Sequence, residues 1–217
     1  MAGLFITIEG PDGAGKTSVV NELYPRLQLA SDKEVIKTRE PGGGKIAEKI
    51  RALILDPLYE EMDARTEALL YAAARRQHLT DVIVPALHEE KIVLCDRFVD
   101  SSVAYQGAGR RIGEKEVAQV NQFATEGLTP DFTLYLDVDS DTGLNRIQRS
   151  RGYQVDRLEL EGLEFHQRVR HAYLKIAEQE SARVHKIDAR TDLQDVVEQC
   201  FAALVAAYPN YFKEMVE

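Results

Sequence analysis

The chain has 217 residues, 44% of them hydrophobic and 29% charged, which suits one globular domain with a substantial core and excludes a disordered chain. Its 27 basic and 36 acidic residues give a net charge of −9, a sign that opposes nonspecific binding to nucleic acid or to an anionic membrane. The two cysteines, Cys95 and Cys200, match neither a zinc spacing nor a redox pair, and no apolar run is long enough to span a bilayer. The opening "MAGLFITIEG" lacks the basic start of a secretory signal. The expectation is a cytoplasmic, reduced protein with no nucleic-acid or membrane partner, and with Cys95 as a buried thiol.

The first predicted element is the strand "LFITIE", Leu4 to Glu9. Directly after it, "GPDGAGKTS" fits the phosphate-cradling pattern G-x-x-x-x-G-K-[ST] at Gly10, Gly15, Lys16 and Thr17. Such a loop aims backbone N–H groups at one point, and the helix that follows adds positive potential there. The loop residues Gly10, Pro11, Asp12, Gly13, Ala14, Gly15, Lys16, Thr17 and Ser18 are therefore the candidate ATP cradle. Lys16 reaches the β- and γ-phosphates, and the Thr17 hydroxyl is a candidate Mg²⁺ ligand. A helix, "TSVVNELYPRLQLA", follows from Thr17.

The second strand is "EVIKTR", Glu34 to Arg39, running into "TREPGG" and the helix "KIAEKIRALIL". A long helical stretch, "DARTEALLYAAARRQHLTDVIVPALHEE", comes next, with a kink or break expected at Pro85. Tyr71 and Arg75 lie four apart in it and share a face. The third strand, "KIVLCD", ends at Asp96, a candidate acidic partner for Mg²⁺ or an ion-pair partner of Arg97. The fourth, "FTLYLDV", precedes the helix "SDTGLNRIQRS", for which Ser140 is the candidate N-cap. The charged stretch "RSRGYQVDRLELEG" reads as a solvated loop or a lid. The fifth strand, "VHKIDA", and the helix "LQDVVEQCFAALVAAY" close the chain. Strands covered on both faces and alternating with helices predict an α/β fold with a parallel sheet.

A GTPase needs an N-K-x-D guanine reader, and this chain has none. Arginines instead recur at motif-like places, Arg39, Arg51, Arg75, Arg76, Arg97, Arg110, Arg111, Arg149, Arg151 and Arg157, and several of them follow strand C-termini, where an open α/β sheet binds its ligands. Their planar forks suit phosphate and point to a second anionic substrate beside ATP.

Together and in this order, "GPDGAGKT", "TREPGG", "YAAARRQH", "DRFVDSSVAYQG" and "PDFTLYLDV" resemble bacterial thymidylate kinase over nearly the whole chain. The resemblance implies a single P-loop nucleoside monophosphate kinase domain, 1–217, with a five-stranded parallel sheet, helices on both faces and a short lid at about 149–161. It implies the reaction ATP + dTMP → ADP + dTDP with Mg²⁺, serving dTTP synthesis, and a homodimer using the surfaces around "EALLYAAA" and "VAQVNQFA". It assigns Arg39 and Glu40 to the surroundings of the dTMP phosphate, Arg51 and Arg97 to that phosphate, and Tyr71 to stacking on thymine. Arg75 and Gln106 read the base edge, with Ser102 nearby. Asp12 approaches the sugar 3′-hydroxyl, and the Tyr105 ring lies where a ribose 2′-hydroxyl would project. Arg146, Ala189 and Arg190 flank adenine. Some members carry an arginine in the phosphate loop where this chain has Gly13, so a lid arginine, Arg149, Arg151 or Arg157, is expected to supply charge worth on the order of 10³–10⁵ in rate. With Lys16, Asp12 and Arg97, these make up the expected catalytic set. The alternatives are another P-loop nucleotide or deoxynucleoside kinase, and a nucleotide-dependent switch protein.

Overall fold

The computed structural model describes residues 3–151, 157–158 and 160–213. Its elements run β1 (Leu4–Glu9), α1 (Lys16–Ala30), β2 (Val35–Arg39), α2 (Lys45–Leu55), α3 (Ala64–His78), α4 (Val84–His88), β3 (Ile92–Asp96), α5 (Val99–Ser102), α6 (Glu114–Thr125), β4 (Phe132–Asp137), α7 (Ser140–Arg151), α8 (Leu163–Gln179), β5 (Val184–Asp188) and α9 (Leu193–Ala207). The five strands form one parallel sheet in the order β2-β3-β1-β4-β5. The chain leaves β1 toward one edge and β4 toward the other, so the carboxyl ends of these neighbours mark a switch point, where such sheets bind ligands.

Strand alternation divides the core between two faces. Leu4, Ile6 and Ile8 of β1, Ile92 and Leu94 of β3, and Leu134 and Leu136 of β4 pack with α1 and α9. On the other face Phe5, Val93 and Cys95 pack with Leu79, Ile83 and Leu87, while Tyr135 packs with Val169 and Tyr173 of α8. Burying one such apolar side chain contributes roughly 1.5–3 kcal/mol. A buried polar group in this core must therefore find a partner, as Thr7 and Thr133 do by sharing a hydrogen bond of 2.7 Å. Cys95 is buried, and burial pushes its thiol well above the usual range.

Three local expectations change. Of the kink or break expected at Pro85, the break is absent: a π-helical stretch, Leu79–Ile83, sits just before it and joins α3 to α4. The missing N–H of proline is thus absorbed by a locally widened turn. Ser140 is the first residue of α7 and not its cap. Asp139 caps instead, its Oδ1 accepting from the Thr142 N–H at 2.8 Å. After β3, "VDSSVAYQGAG" forms α5 and a second π-helical stretch, Val103–Gly109, where no helix was expected. Of the expected lid, residues 152–156 and 159 lie outside the described residues, as do the side chains of Ser150 and Arg151.

Candidate active site

The glycine-rich loop crosses from β1 to α1 at the switch point. Gly13 has φ 77°, and a Cβ there would meet the Gly143 carbonyl oxygen at 2.1 Å. The loop is pressed against the start of α7, so no side chain, an arginine included, fits at position 13 without moving it. Helix α1 starts after Gly15 (φ 86°) with no side-chain cap, leaving its first N–H groups for an anion. Lys16 is buried, and its Nζ donates to the Pro11 carbonyl at 2.7 Å. Burial, joined by the nearby Arg97 guanidinium, lowers its pKa to about 8, against the opposing pull of Asp12, Asp96 and Glu9. The Thr17 hydroxyl donates to Asp96 Oδ2 at 2.8 Å, which brings the two candidate metal ligands together. Among the described residues, no cluster of three or more His, Cys, Asp or Glu is placed to hold a metal. A hydroxyl and one carboxylate are hard oxygen donors, and they suit Mg²⁺ that completes its shell with phosphate oxygens and water.

Asp96 is therefore not the partner of Arg97. Arg97 instead pairs with Asp12 through Nη2 and donates to the Tyr105 hydroxyl at 3.2 Å. Its Nη1 donates to the Gly10 carbonyl at 3.1 Å and to Ser101 Oγ at 3.0 Å, and the guanidinium lies 4.9 Å over the Tyr105 ring. Burial pushes the Asp12 carboxyl up, but Arg97 and Lys16 outweigh it and hold it below the usual range. The Arg97 backbone sits at φ 72°, a region that costs a non-glycine residue about 1–3 kcal/mol. The loop is held there by Glu9, buried at the end of β1. Its carboxylate accepts from Phe98 N–H at 2.7 Å, Ser101 Oγ at 2.6 Å and the Tyr173 hydroxyl at 2.8 Å. Burial, then the nearby Asp100, raises the Glu9 pKa.

Tyr71 and Arg75 both face one cavity from α3, and both are buried. Arg75 donates to Glu40 at 2.7 Å, to Ser102 Oγ at 3.1 Å, to Asn121 Oδ1 and to the Phe98 carbonyl at 2.9 Å. Glu40 has both oxygens engaged, by Arg75 and by His78 Nδ1 at 3.0 Å. In this structure it orients Arg75. Arg39 and Arg51 converge on the Pro41 carbonyl at 3.1 and 2.8 Å.

The cavity, of about 700 Å³, runs unbroken along the carboxyl edge of the sheet. One end is lined by Arg39, Glu40, Arg51, Tyr71, Arg75, Arg97, Ser102, Tyr105, Gln106 and Leu158. The loop from Asp12 to Ser18 lies at its middle. Arg146, Ile147, Ala189, Thr191, Asp192, Leu193 and Val196 line the other end. Gly10 and Pro11 frame the loop through the carbonyls that hold Arg97 and Lys16. Arg146 donates to the Ala189 carbonyl at 2.9 Å. The Arg190 side chain folds onto Asp188, at 2.6 and 2.8 Å, and does not line the cavity, unlike the expectation for it.

Arg157 also departs from expectation. It is buried, donates to the Ile54 carbonyl at 3.1 Å and pairs with Glu67, far from the role of a charge at the phosphate loop. Arg149 is exposed on α7. The sequence reading missed Glu9, Glu67, His78 and Asn121. Glu67 did carry a signal, since it precedes Tyr71 by four residues, as Tyr71 precedes Arg75.

The family model described as "Thymidylate kinase" matches residues 8–200. A thymidylate kinase of Enterococcus faecalis is 64% identical over 212 residues, 98% of this chain and 100% of that one. One of Latilactobacillus sakei is 57% identical over 213 residues, again 98% and 100%. The crystal structure of thymidylate kinase from Ehrlichia chaffeensis is similar with a TM-score of 0.77 at 32% identity, covering 93% of this chain and 98% of that one.

Proposed function

This chain belongs to the thymidylate kinase family and transfers a phosphoryl group from ATP to dTMP, giving dTDP and ADP, and on that premise we propose how its cavity divides the work. The supporting observation is a single cavity with an arginine-rich end and a phosphate loop at its middle, so that two nucleotides meet phosphate to phosphate. ATP takes the end at Arg146 and Ala189, with its phosphates on Lys16 and the first N–H groups of α1. dTMP takes the other end, its phosphate on Arg97, Arg51 and Arg39 and its base between Tyr71, Arg75 and Gln106.

The reaction needs two anions held in line and little else, because the dTMP phosphate is already an anionic nucleophile. Lys16 neutralises charge on the donor side. Arg97 supplies positive charge at the acceptor; its two terminal nitrogens are held by Gly10, Ser101, Asp12 and Tyr105, and part of that set must give way for its fork to clamp the phosphate. Asp12, ionised beside Arg97, is the group that accepts from the sugar 3′-hydroxyl. Thr17 and Asp96 would hold Mg²⁺, which would supply positive charge against the donor phosphates. With Arg157 engaged by Glu67, Arg149 is our candidate for further charge from the lid.

The Arg75 bonds leave an N–H on Nη2 among the described residues, which suits the thymine O4 carbonyl, where cytosine carries an amino group. The expected order in kcat/KM is dTMP, then dUMP, then UMP and dCMP. The dUMP deficit is modest, since a lost methyl is worth about 1–3 kcal/mol. The UMP deficit comes from the buried Tyr105 ring against the 2′-hydroxyl. An assay of ADP release with each monophosphate in turn checks this. Turnover of dCMP or dAMP above that of dTMP overturns the division of the cavity.

The assembly we propose is a homodimer through α3 and α6. These helices pack together, yet expose Leu69 (58%) and Phe123 (88%). Phe123→Glu is expected to shift sedimentation from dimer to monomer. An unchanged sedimentation coefficient, or a wild type that sediments as a monomer, removes this interface. No helix among the described residues is long and apolar enough to cross a membrane. We place the enzyme in the cytoplasm, with its substrates and its two unpaired, buried cysteines, and cell fractionation tests that placement.

A further inference from the structure

Glu67 sits in the first turn of α3 and is fully buried. Its Oε1 accepts from Gln106 Nε2 at 2.8 Å and from Arg110 Nε at 3.3 Å. Its Oε2 accepts from Arg157 Nη2 and forms an ion pair with Arg110, 3.2 Å from Nη2. The phosphoryl transfer described above uses none of these contacts.

A carboxylate has no hydrogen to give, so only the amide nitrogen of Gln106 can face Glu67. The amide is planar, and its carbonyl oxygen must then point away from Glu67. Gln106 is almost wholly buried and lines the acceptor end of the cavity with Tyr71 and Arg75. We infer that Glu67 is a positioning residue that sets base selectivity: by fixing the Gln106 amide, it presents a carbonyl oxygen to the base and admits one with an N3–H. Thymine and uracil carry that hydrogen. Cytosine carries a lone pair at the same place, and two acceptors would face each other. The inference rests on Gln106 as the base reader. With a residue at 67 that both donates and accepts, the Gln106 amide is free to turn over and offer its NH₂ group to cytosine.

dUMP and dCMP share sugar and phosphate, and both lack the methyl, so the ratio of their dissociation constants isolates the base edge. Glu67→Gln is expected to lower the preference for dUMP over dCMP by at least about tenfold, weakening dUMP and strengthening dCMP. A purely structural role would weaken both nucleotides alike. A folded Glu67→Gln that keeps the wild-type ratio within about twofold overturns the inference. Glu67→Gln leaves two guanidinium groups with less charge to face, so Glu67→Gln with Arg157→Met, which removes one of them, is read by the same criterion. The wild type supplies a third measurement. With ¹⁵N3-labelled dTMP bound, a coupling across the hydrogen bond to the Gln106 side-chain carbonyl carbon is expected, and a base N3–H without that coupling counts against the inference. Gln106→Leu separates the two levels. If it leaves the dUMP to dCMP ratio unchanged, Gln106 is not the reader. If it collapses the ratio and Glu67→Gln does not, only the role of Glu67 falls.

Discussion

Lys16→Ala is expected to lower kcat by about 10²–10³-fold or more while the protein melts at or above the wild-type temperature. The loss in rate follows from removing the one ammonium placed at the start of α1, where the donor phosphates gather. The preserved fold follows from the environment of Lys16, which is buried with its Nζ on a backbone carbonyl and not in a carboxylate pair. Its lowered pKa, about 8 against an ordinary 10.5, records that the fold resists the charge. Between those values the unfolded chain keeps the proton that the folded protein has released. This group's contribution to stability therefore rises with pH through about 8 to 10.5, and below about 8 the folded protein holds the cation at a cost. A bound polyphosphate reverses the preference and draws the proton back. ATP affinity should accordingly be flat below about pH 8 and fall above it, with proton uptake on binding near pH 8.5. Calorimetry in two buffers of different ionisation enthalpy measures that uptake, and Lys16→Ala should abolish it. A well-folded Lys16→Ala enzyme with near-normal turnover would remove the phosphate-loop assignment.

The sequence carried most of the architecture because the three central strands, β1, β3 and β4, are buried along nearly their whole length, while the edge strands β2 and β5 are only partly covered. Their β-branched, near-continuous apolar runs are short enough to be told from helices. The phosphate loop was legible for a different reason: a glycine-rich turn needs its residue types in one contiguous stretch, so local sequence suffices. The stretch after β3 was not legible. Small residues in "VDSSVAYQGAG" blur the helical period, and a π-helical turn shifts the period itself. Arg157 was misread because a charged segment normally faces water, whereas this guanidinium goes to Glu67, 90 residues away in the chain. Glu40 and Asn121 illustrate the same limit. The sequence shows which side chains can donate or accept, but which acceptor a buried arginine uses is decided only when α3, α6 and the loop after β2 pack together. At the start of α7, Asp139 and Ser140 are adjacent capping residues, and a shift of one residue decides between them.

Arg97 offers the sharpest test of the acceptor side, because its backbone and its side chain make separable demands. At φ 72° glycine is the unstrained residue, so Arg97→Gly relieves the backbone while removing the guanidinium. Bonds to Gly10, Ser101, Tyr105 and Asp12 are lost with it. The two effects oppose each other, and the melting temperature should stay close to that of the wild type. Turnover should not: the loss expected is about 10³-fold or more in kcat, the scale on which a phosphate-clamping arginine acts in such transfers. Arg97→Lys keeps the charge and the strained backbone but replaces a planar fork with a single point donor. That donor cannot hold Asp12 and the Tyr105 hydroxyl on one nitrogen while the other reaches Ser101 and the Gly10 carbonyl. If orientation is what Arg97 supplies, Arg97→Lys should stay within about tenfold of Arg97→Gly. If charge alone mattered, Arg97→Lys would recover most of the lost rate, and the proposed fork on the acceptor phosphate would have to be abandoned. Steady-state kcat for the three proteins at saturating ATP and dTMP, beside their melting curves, decides between the two.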